Sequence, residues 1–99
     1  MRYVKQAFEI IKASDTWDQK QWGENTPCGF KGCLIGHMIK LKWKAATFKD
    51  NKVYVQGKRR GYAWDVGREL SGLSQEDFDR LSDSHNTLDD IERIINEIS

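Results

Sequence analysis

The sequence has little of several features that would place it in a specialised class of protein. It contains one proline and two cysteines in 99 residues, which indicates neither a proline-rich linker nor a disulfide scaffold. It has no run of about 18 apolar residues, and no charged-then-apolar start typical of a secretory signal. We therefore expect one domain, residues 1–99, in the cytoplasm and without a membrane partner.

Aromatic residues, in contrast, are plentiful for so short a chain. Four Trp, four Phe and three Tyr are present. A domain of this length buries only about 60 to 68% of the surface that its unfolded chain exposes. Each buried aromatic ring removes roughly 150 to 250 Å² from water, so we expect these rings to supply much of a small core.

The net charge of +1 conceals a segregation of charge along the chain. Residues 31–60 carry nine Lys/Arg against one Asp/Glu, a net +8, whereas residues 61–99 carry three against ten, a net −7. Such asymmetry is typical either of a binding surface or of two halves that neutralise each other.

The apolar pattern of residues 30–42 predicts a buried central helix. Gly32 and Gly36 lie four residues apart on it, so another backbone can approach closely there. Gly29 is the expected N-cap, which makes Cys28 and Cys33 neighbours through a hydrophobic staple. The apolar positions recur at three- and four-residue steps over most of the helix circumference: Phe30, Cys33, Leu34, Ile35, Met38, Ile39 and Leu41.

The remaining elements are predicted from changes in this period. A first amphipathic helix ends near Ala13, and residues after Gly61 resume a helical spacing, with Ser74 and Thr87 as caps of two later helices. Alternation around Asp50-Asn51 predicts one short β-hairpin at about 46–55, followed by a flexible basic loop at 57–61. The predicted fold is mainly α: a small bundle of four to five helices around residues 30–42, with one hairpin.

Three short motifs resemble a small uncharacterised domain family found in bacteria and their phages. They are Trp17-Asp18-Gln19, the Cys28-Gly29 pair with Cys33, Gly36 and His37, and the Asn86-Thr87 turn before the last helix. The resemblance spans most of the chain and carries no established activity. It implies a phage accessory protein, and residues 44–61 are where we expect this chain to be most individual.

Cys28, Cys33 and His37 are the candidates for metal or thiol chemistry. Cys33 and His37 lie one helical turn apart, and the predicted staple adds Cys28, so a three-ligand site is possible. A structural zinc site takes four ligands, however, and buried free cysteine is a common core residue. We therefore predict packed thiols, no metal and no cofactor, with a metal site and a redox-active pair as alternatives.

The acidic residues of the last third do not suggest an enzyme. They fall at helix caps and on solvent faces, where the helix dipole and hydration explain them. No acid/base pair is therefore assigned, and the protein is expected not to be an enzyme.

The basic middle segment is the better functional candidate. Its cations are interleaved with aromatic residues, a mixture that suits either protein docking or contact with phosphates and bases. We predict a non-enzymatic module that binds an acidic protein surface stoichiometrically, with nucleic acid as the alternative partner. The predicted binding residues are Tyr54, Lys58, Arg59, Arg60 and Trp64.

Overall fold

The computed structural model describes residues 1–13, 16–26 and 29–99. This part of the chain contains five helices and five strands. The helices are α1 Arg2–Ala13, α2 Leu34–Lys42, α3 Ala63–Ser71, α4 Gln75–Ser82 and α5 Leu88–Ile98. The strands are β1 Glu24–Thr26, β2 Gly29–Lys31, β3 Ala46–Lys49, β4 Lys52–Val55 and β5 Lys58–Tyr62.

The fold is α+β, so the prediction of a mainly α bundle with one hairpin is wrong. The predicted hairpin is present as β3 and β4, but β5 pairs with β4 and completes a three-stranded antiparallel sheet in the order β3-β4-β5. β1 and β2 form a second, two-stranded antiparallel pair. The apolar inner side of the larger sheet, with Val53 fully buried, joins the helical core.

The predicted role of α2 at the centre of the core is confirmed, although its predicted start is wrong. Every residue from Leu34 to Ile39 is buried, and α2 packs against α1 and α3. The helix begins at Leu34 because Cys33 is its N-cap, with the thiol sulfur accepting a hydrogen bond from the Gly36 amide at 3.4 Å. Gly29 is in β2 and is not the cap. Cys28, and with it the predicted contact between the two thiols, lies outside the described residues.

Residues 16–22 lie against the start of α2, at the two glycines where the close approach of another backbone was predicted. The Asp18 amide donates to the Gly32 carbonyl at 2.8 Å, and the Cys33 amide donates to the Gln21 carbonyl at 2.8 Å. The Trp22 carbonyl is so close that a Cβ added to Gly36 would lie 1.6 Å from its oxygen. Glycine is therefore required sterically where this backbone crosses α2.

Two tight turns build the three-stranded sheet. Asp50 and Asn51 have positive φ values of 52° and 63°, and Gln56 and Gly57 have values of 52° and 79°. Two consecutive residues with positive φ match the right-handed twist of antiparallel strands. The predicted flexible loop at 57–61 is thus wrong: Lys58–Tyr62 is the third strand, and its register shifts at a bulge opposite Val53 and Tyr54.

The C-terminal helices follow their predicted caps. Ser74 accepts a hydrogen bond from the Asp77 amide, and Thr87 forms a full capping box with Asp90. Gly72 ends α3 in the left-handed conformation, with φ of 68°. These caps satisfy backbone groups that a helix end leaves without partners.

A buried glutamine ties residues 17–19 to the end of α4. The Gln19 amide nitrogen donates to the carbonyls of Leu81 at 3.1 Å and Asp83 at 3.0 Å, and its oxygen accepts from the Trp17 indole at 3.0 Å. Asn86 donates to the Arg80 carbonyl at 2.7 Å. The Trp-x-Gln and Asn-Thr motifs therefore have a structural role, because both satisfy carbonyls at the end of α4.

Candidate functional site

The outer face of the three-stranded sheet carries basic and aromatic side chains, and we call it the cationic face. Strand register assigns its members, since residues opposite each other in antiparallel strands point to the same side. Thr47 pairs with Tyr54 and Tyr54 with Arg59, while Lys52 pairs with both Lys49 and Tyr62. The cationic face consists of Thr47, Lys49, Lys52, Tyr54, Arg59 and Tyr62.

Tyr62 is at the centre of the contacts on this face. The Lys52 ammonium lies 5.7 Å from the centroid of its ring, and the Arg59 guanidinium carbon lies 5.6 Å from it. Both distances fall within the range of a cation–π interaction. Tyr62 is 49% exposed, so the contacts hold the two cations at the surface without removing them from solvent.

The bulge in β5 sends Arg60 away from this face. Its guanidinium carbon lies 5.5 Å from the centroid of the Trp43 ring, beyond the end of α2. A bulge places two residues opposite one and so redirects a side chain. Arg59 and Arg60 are adjacent in sequence but serve two neighbouring surfaces.

The acidic helices do not form ion pairs with the cationic face. The ion pairs between described residues are Glu9–Lys12, Asp77–Arg80, Arg80–Glu97, Asp83–His85 and Asp90–Arg93. None of them involves a cation of residues 31–60. Strands β3, β4 and β5 also contain no carboxylate. The charge segregation of the sequence therefore persists as a positive surface.

The structure brings some of the predicted binding residues together and separates others. Tyr54 and Arg59 are direct neighbours on the cationic face. Lys58 is exposed at the start of β5, and Arg60 lies on Trp43. Trp64 is half-buried, with its ring edge-on to Phe78 at 4.8 Å between centroids.

Four residues of the face were not among the predicted binding residues: Thr47, Lys49, Lys52 and Tyr62. Their membership depends on strand register. Lys52 and Tyr54 alternate with a period of two, so they point to the same side of β4. With β5 recognised as a strand after the turn at 56–57, the same alternation would have predicted the members of the face. The broader basic segment did include Lys40, but that side chain donates to the carbonyls of Lys44 and Ala46 and so supports the chain after α2.

Cys33 and His37 have the properties of core residues. Burial raises the pKa of the Cys33 thiol to about 11, from an ordinary value of 9.0. His37 is buried, and its Nε2 donates a hydrogen bond to the Thr16 carbonyl at 2.8 Å, since a carbonyl oxygen can only accept. Burial lowers the pKa of this imidazole below its ordinary 6.5. The geometry therefore favours a neutral thiol and a neutral imidazole.

These two residues do not combine with a further ligand in the described part of the chain. No group of three His, Cys, Asp or Glu side chains there is placed to hold a metal ion. Cys28, the third candidate ligand, lies outside the described residues.

Comparison with known proteins finds no matching family model, curated protein or solved structure. The resemblance to a bacterial and phage domain family therefore rests on the sequence motifs alone. Within residues 1–13, 16–26 and 29–99, no helix is both long and apolar enough to span a bilayer.

Proposed function

We propose that this chain is a small non-enzymatic binding domain that docks an acidic protein surface onto its cationic face. The observation that carries the proposal is the arrangement of Lys49, Lys52 and Arg59 on one side of the three-stranded sheet. None of the three forms an ion pair with a described residue, and their strands contain no carboxylate. Complementary charge of this kind accelerates encounter and selects the partner.

The Tyr62 contacts favour a protein partner over a nucleic acid. A base that stacks on an aromatic ring needs an open ring face. The Tyr62 ring already has the Lys52 and Arg59 cations above it, so base stacking has to displace them. The same contacts hold the two cations in position to meet carboxylates, which reduces the entropy lost on docking.

Nucleic acid is the second candidate, because Tyr62 is the more exposed of the two large hydrophobic side chains at the described surface. An exposed tyrosine beside lysine and arginine on an antiparallel sheet is a combination that several single-strand-binding domains use. A metal- or thiol-dependent function is less favoured, since burial keeps the Cys33 thiol protonated.

The biological setting of the proposal is a phage accessory protein in the host cytoplasm. This setting is supported by the sequence resemblance alone, and stoichiometric binding suits so small a domain. The partner is then a host or phage protein with an acidic surface.

A pull-down from nuclease-treated host lysate tests the proposal. The test variant carries Lys49→Glu, Lys52→Glu and Arg59→Glu. Its matched control carries the same charge change on exposed residues elsewhere, as Lys5→Glu, Lys20→Glu and Arg68→Glu. We expect wild type and control to retain one protein in about equimolar amount, and the test variant to lose it. Loss of capture after nuclease treatment, or equal capture by both variants, contradicts the proposal.

A further inference from the structure

A second surface feature lies beside the cationic face. It is an open cleft of about 520 Å³, bounded by α1, the end of α2, β5 and α3. This volume is within the range of about 300 to 1,000 Å³ usual for ligand pockets. Its apolar lining is Tyr3, Trp43, Val66 and Leu70.

Charged groups stand around this apolar lining in an uneven arrangement. Lys42 and Arg60 supply two cations, and Glu69 on α3 supplies one carboxylate. No ion pair between described residues includes any of the three. The rim therefore favours carboxylates beside Lys42 and Arg60 and disfavours them beside Glu69.

Arg60 connects the cleft to the cationic face. It follows Arg59 in β5, and its guanidinium covers part of the Trp43 ring. Arg59 lies on the cationic face and Arg60 lines the cleft, so a ligand that runs along the face reaches the cleft at the next residue of β5. Protein interfaces usually take most of their affinity from a few desolvated anchors, and the apolar lining of this cleft can receive one.

We propose that the Trp43 cleft binds one large apolar side chain of an acidic segment in the partner protein. This inference rests on the proposed function and adds the recognition chemistry: carboxylates on the cationic face, and an aliphatic or aromatic anchor against Trp43, Val66 and Leu70. The position next to Glu69 takes a neutral or basic residue. Affinity comes from the anchor, and speed of association comes from the charges.

Two synthetic peptides test the inference. Both have the same sequence of Asp, Glu, Gly and Ser, and they differ only at the central residue, which is Leu in one and Ser in the other. Burial of one leucine is expected to make the Leu peptide bind wild-type protein at least about tenfold more tightly. Trp43→Ala should reduce this ratio to about one, whereas Lys49→Gln with Lys52→Gln should weaken both peptides and preserve the ratio.

Binding in the cleft can also be observed directly in the wild-type protein, by NMR. The ¹H–¹⁵N indole signal of Trp43, assigned with Trp43→Phe, should shift with the Leu peptide and not with the Ser peptide. This measurement decides the matter if Trp43→Ala fails to fold.

The peptide experiments distinguish failure of the cleft proposal from failure of the proposed function. Equal affinities for the two peptides, both lost in the Lys49→Gln, Lys52→Gln variant, overturn the cleft and leave the docking face standing. Binding of neither peptide overturns the cleft together with the acidic protein partner. If a mixed-sequence oligonucleotide then binds, the partner is nucleic acid.

Discussion

Replacement of Gly36 by alanine should destabilise the fold although alanine is the better helix former. A Cβ at this position would lie 1.6 Å from the Trp22 carbonyl oxygen, and real Cβ contacts are essentially never under 3.0 Å. The two backbones must therefore separate by about 1.4 Å, the difference between these values. The neighbouring Cys33–Gln21 backbone hydrogen bond, 2.8 Å long, limits that movement.

The magnitude follows from opposing effects. Overpacking of this kind costs about 1 to 3 kcal/mol, and a buried backbone hydrogen bond left unmade costs about 1 to 3 kcal/mol more. The higher helix propensity of alanine offsets about 1 kcal/mol of this destabilisation. We therefore expect Gly36→Ala to lower the free energy of unfolding by about 1 to 5 kcal/mol, and Gly36→Leu to lower it further.

Urea denaturation followed by tryptophan fluorescence measures this change. Gly57→Ala is the control, because nothing lies within 4 Å of its added Cβ and only its positive φ of 79° is unfavourable. We expect that variant to lose about 1 kcal/mol. Wild-type stability or better in Gly36→Ala would refute the close crossing of Trp22 over α2.

Three further predictions concern the buried polar contacts and the caps. Gln19→Ala should lower the free energy of unfolding by about 2 to 3 kcal/mol in urea denaturation, because the Asp83 carbonyl and the Trp17 indole lose their partner and the Leu81 carbonyl keeps only the Asn86 donor at 3.3 Å. The lowered pKa of His37 means that the unfolded chain binds a proton more readily, so stability should be complete above pH 6.5 and decline as the pH falls below it. Melting temperatures between about pH 7.5 and 5 should show this decline in wild type and in His85→Gln, but not in a folded His37→Gln variant. Thr87→Ala should cost about 1 kcal/mol of stability by removing an N-cap, and an unchanged denaturation midpoint would contradict the capping box.

The parts of the fold that were predictable are those determined by near neighbours in sequence. The capping box of Thr87 and Asp90 is contained within four residues, and the Asp50-Asn51 turn is defined by the ability of these residues to adopt positive φ. The close approach at Gly36 was also predictable, because the absence of a side chain is visible in the sequence. Its partner, the Trp22 backbone, was not.

The errors came from contacts between distant residues. Phe30 has the helical spacing to Cys33 and Leu34, yet it is a strand residue whose ring packs on His37 at 5.0 Å and Phe48 at 6.0 Å between centroids. Tertiary packing explains its apolar character better than helical periodicity does. Only the pairing of β2 with β1 shows that Phe30 is in a strand and not in a helix. A strand of three residues is too short to be recognised from its own sequence.

The candidate site was predictable as a segment but not as a surface. The basic run at 58–60 suggested a mobile loop, since the Gln56-Gly57 turn is less familiar than Asn-Gly. Once β5 is known to pair with β4, alternation assigns Arg59 and Tyr62 to the cationic face, and the bulge moves Arg60 to Trp43. Register, which depends on the partner strand, carried the missing information.

The central claim is that the cationic face recognises protein carboxylates and not nucleic-acid phosphates. Its most direct test is the affinity of wild-type protein for a mixed-sequence single-stranded oligonucleotide at about 0.15 M salt, where surface charges are screened beyond roughly 8 Å. We predict binding weaker than micromolar, with a small salt dependence. Micromolar or tighter binding would contradict the account if it were abolished by Lys52→Glu with Arg59→Glu, and if its affinity fell by about 0.7 log units per phosphate contact for each tenfold rise in salt.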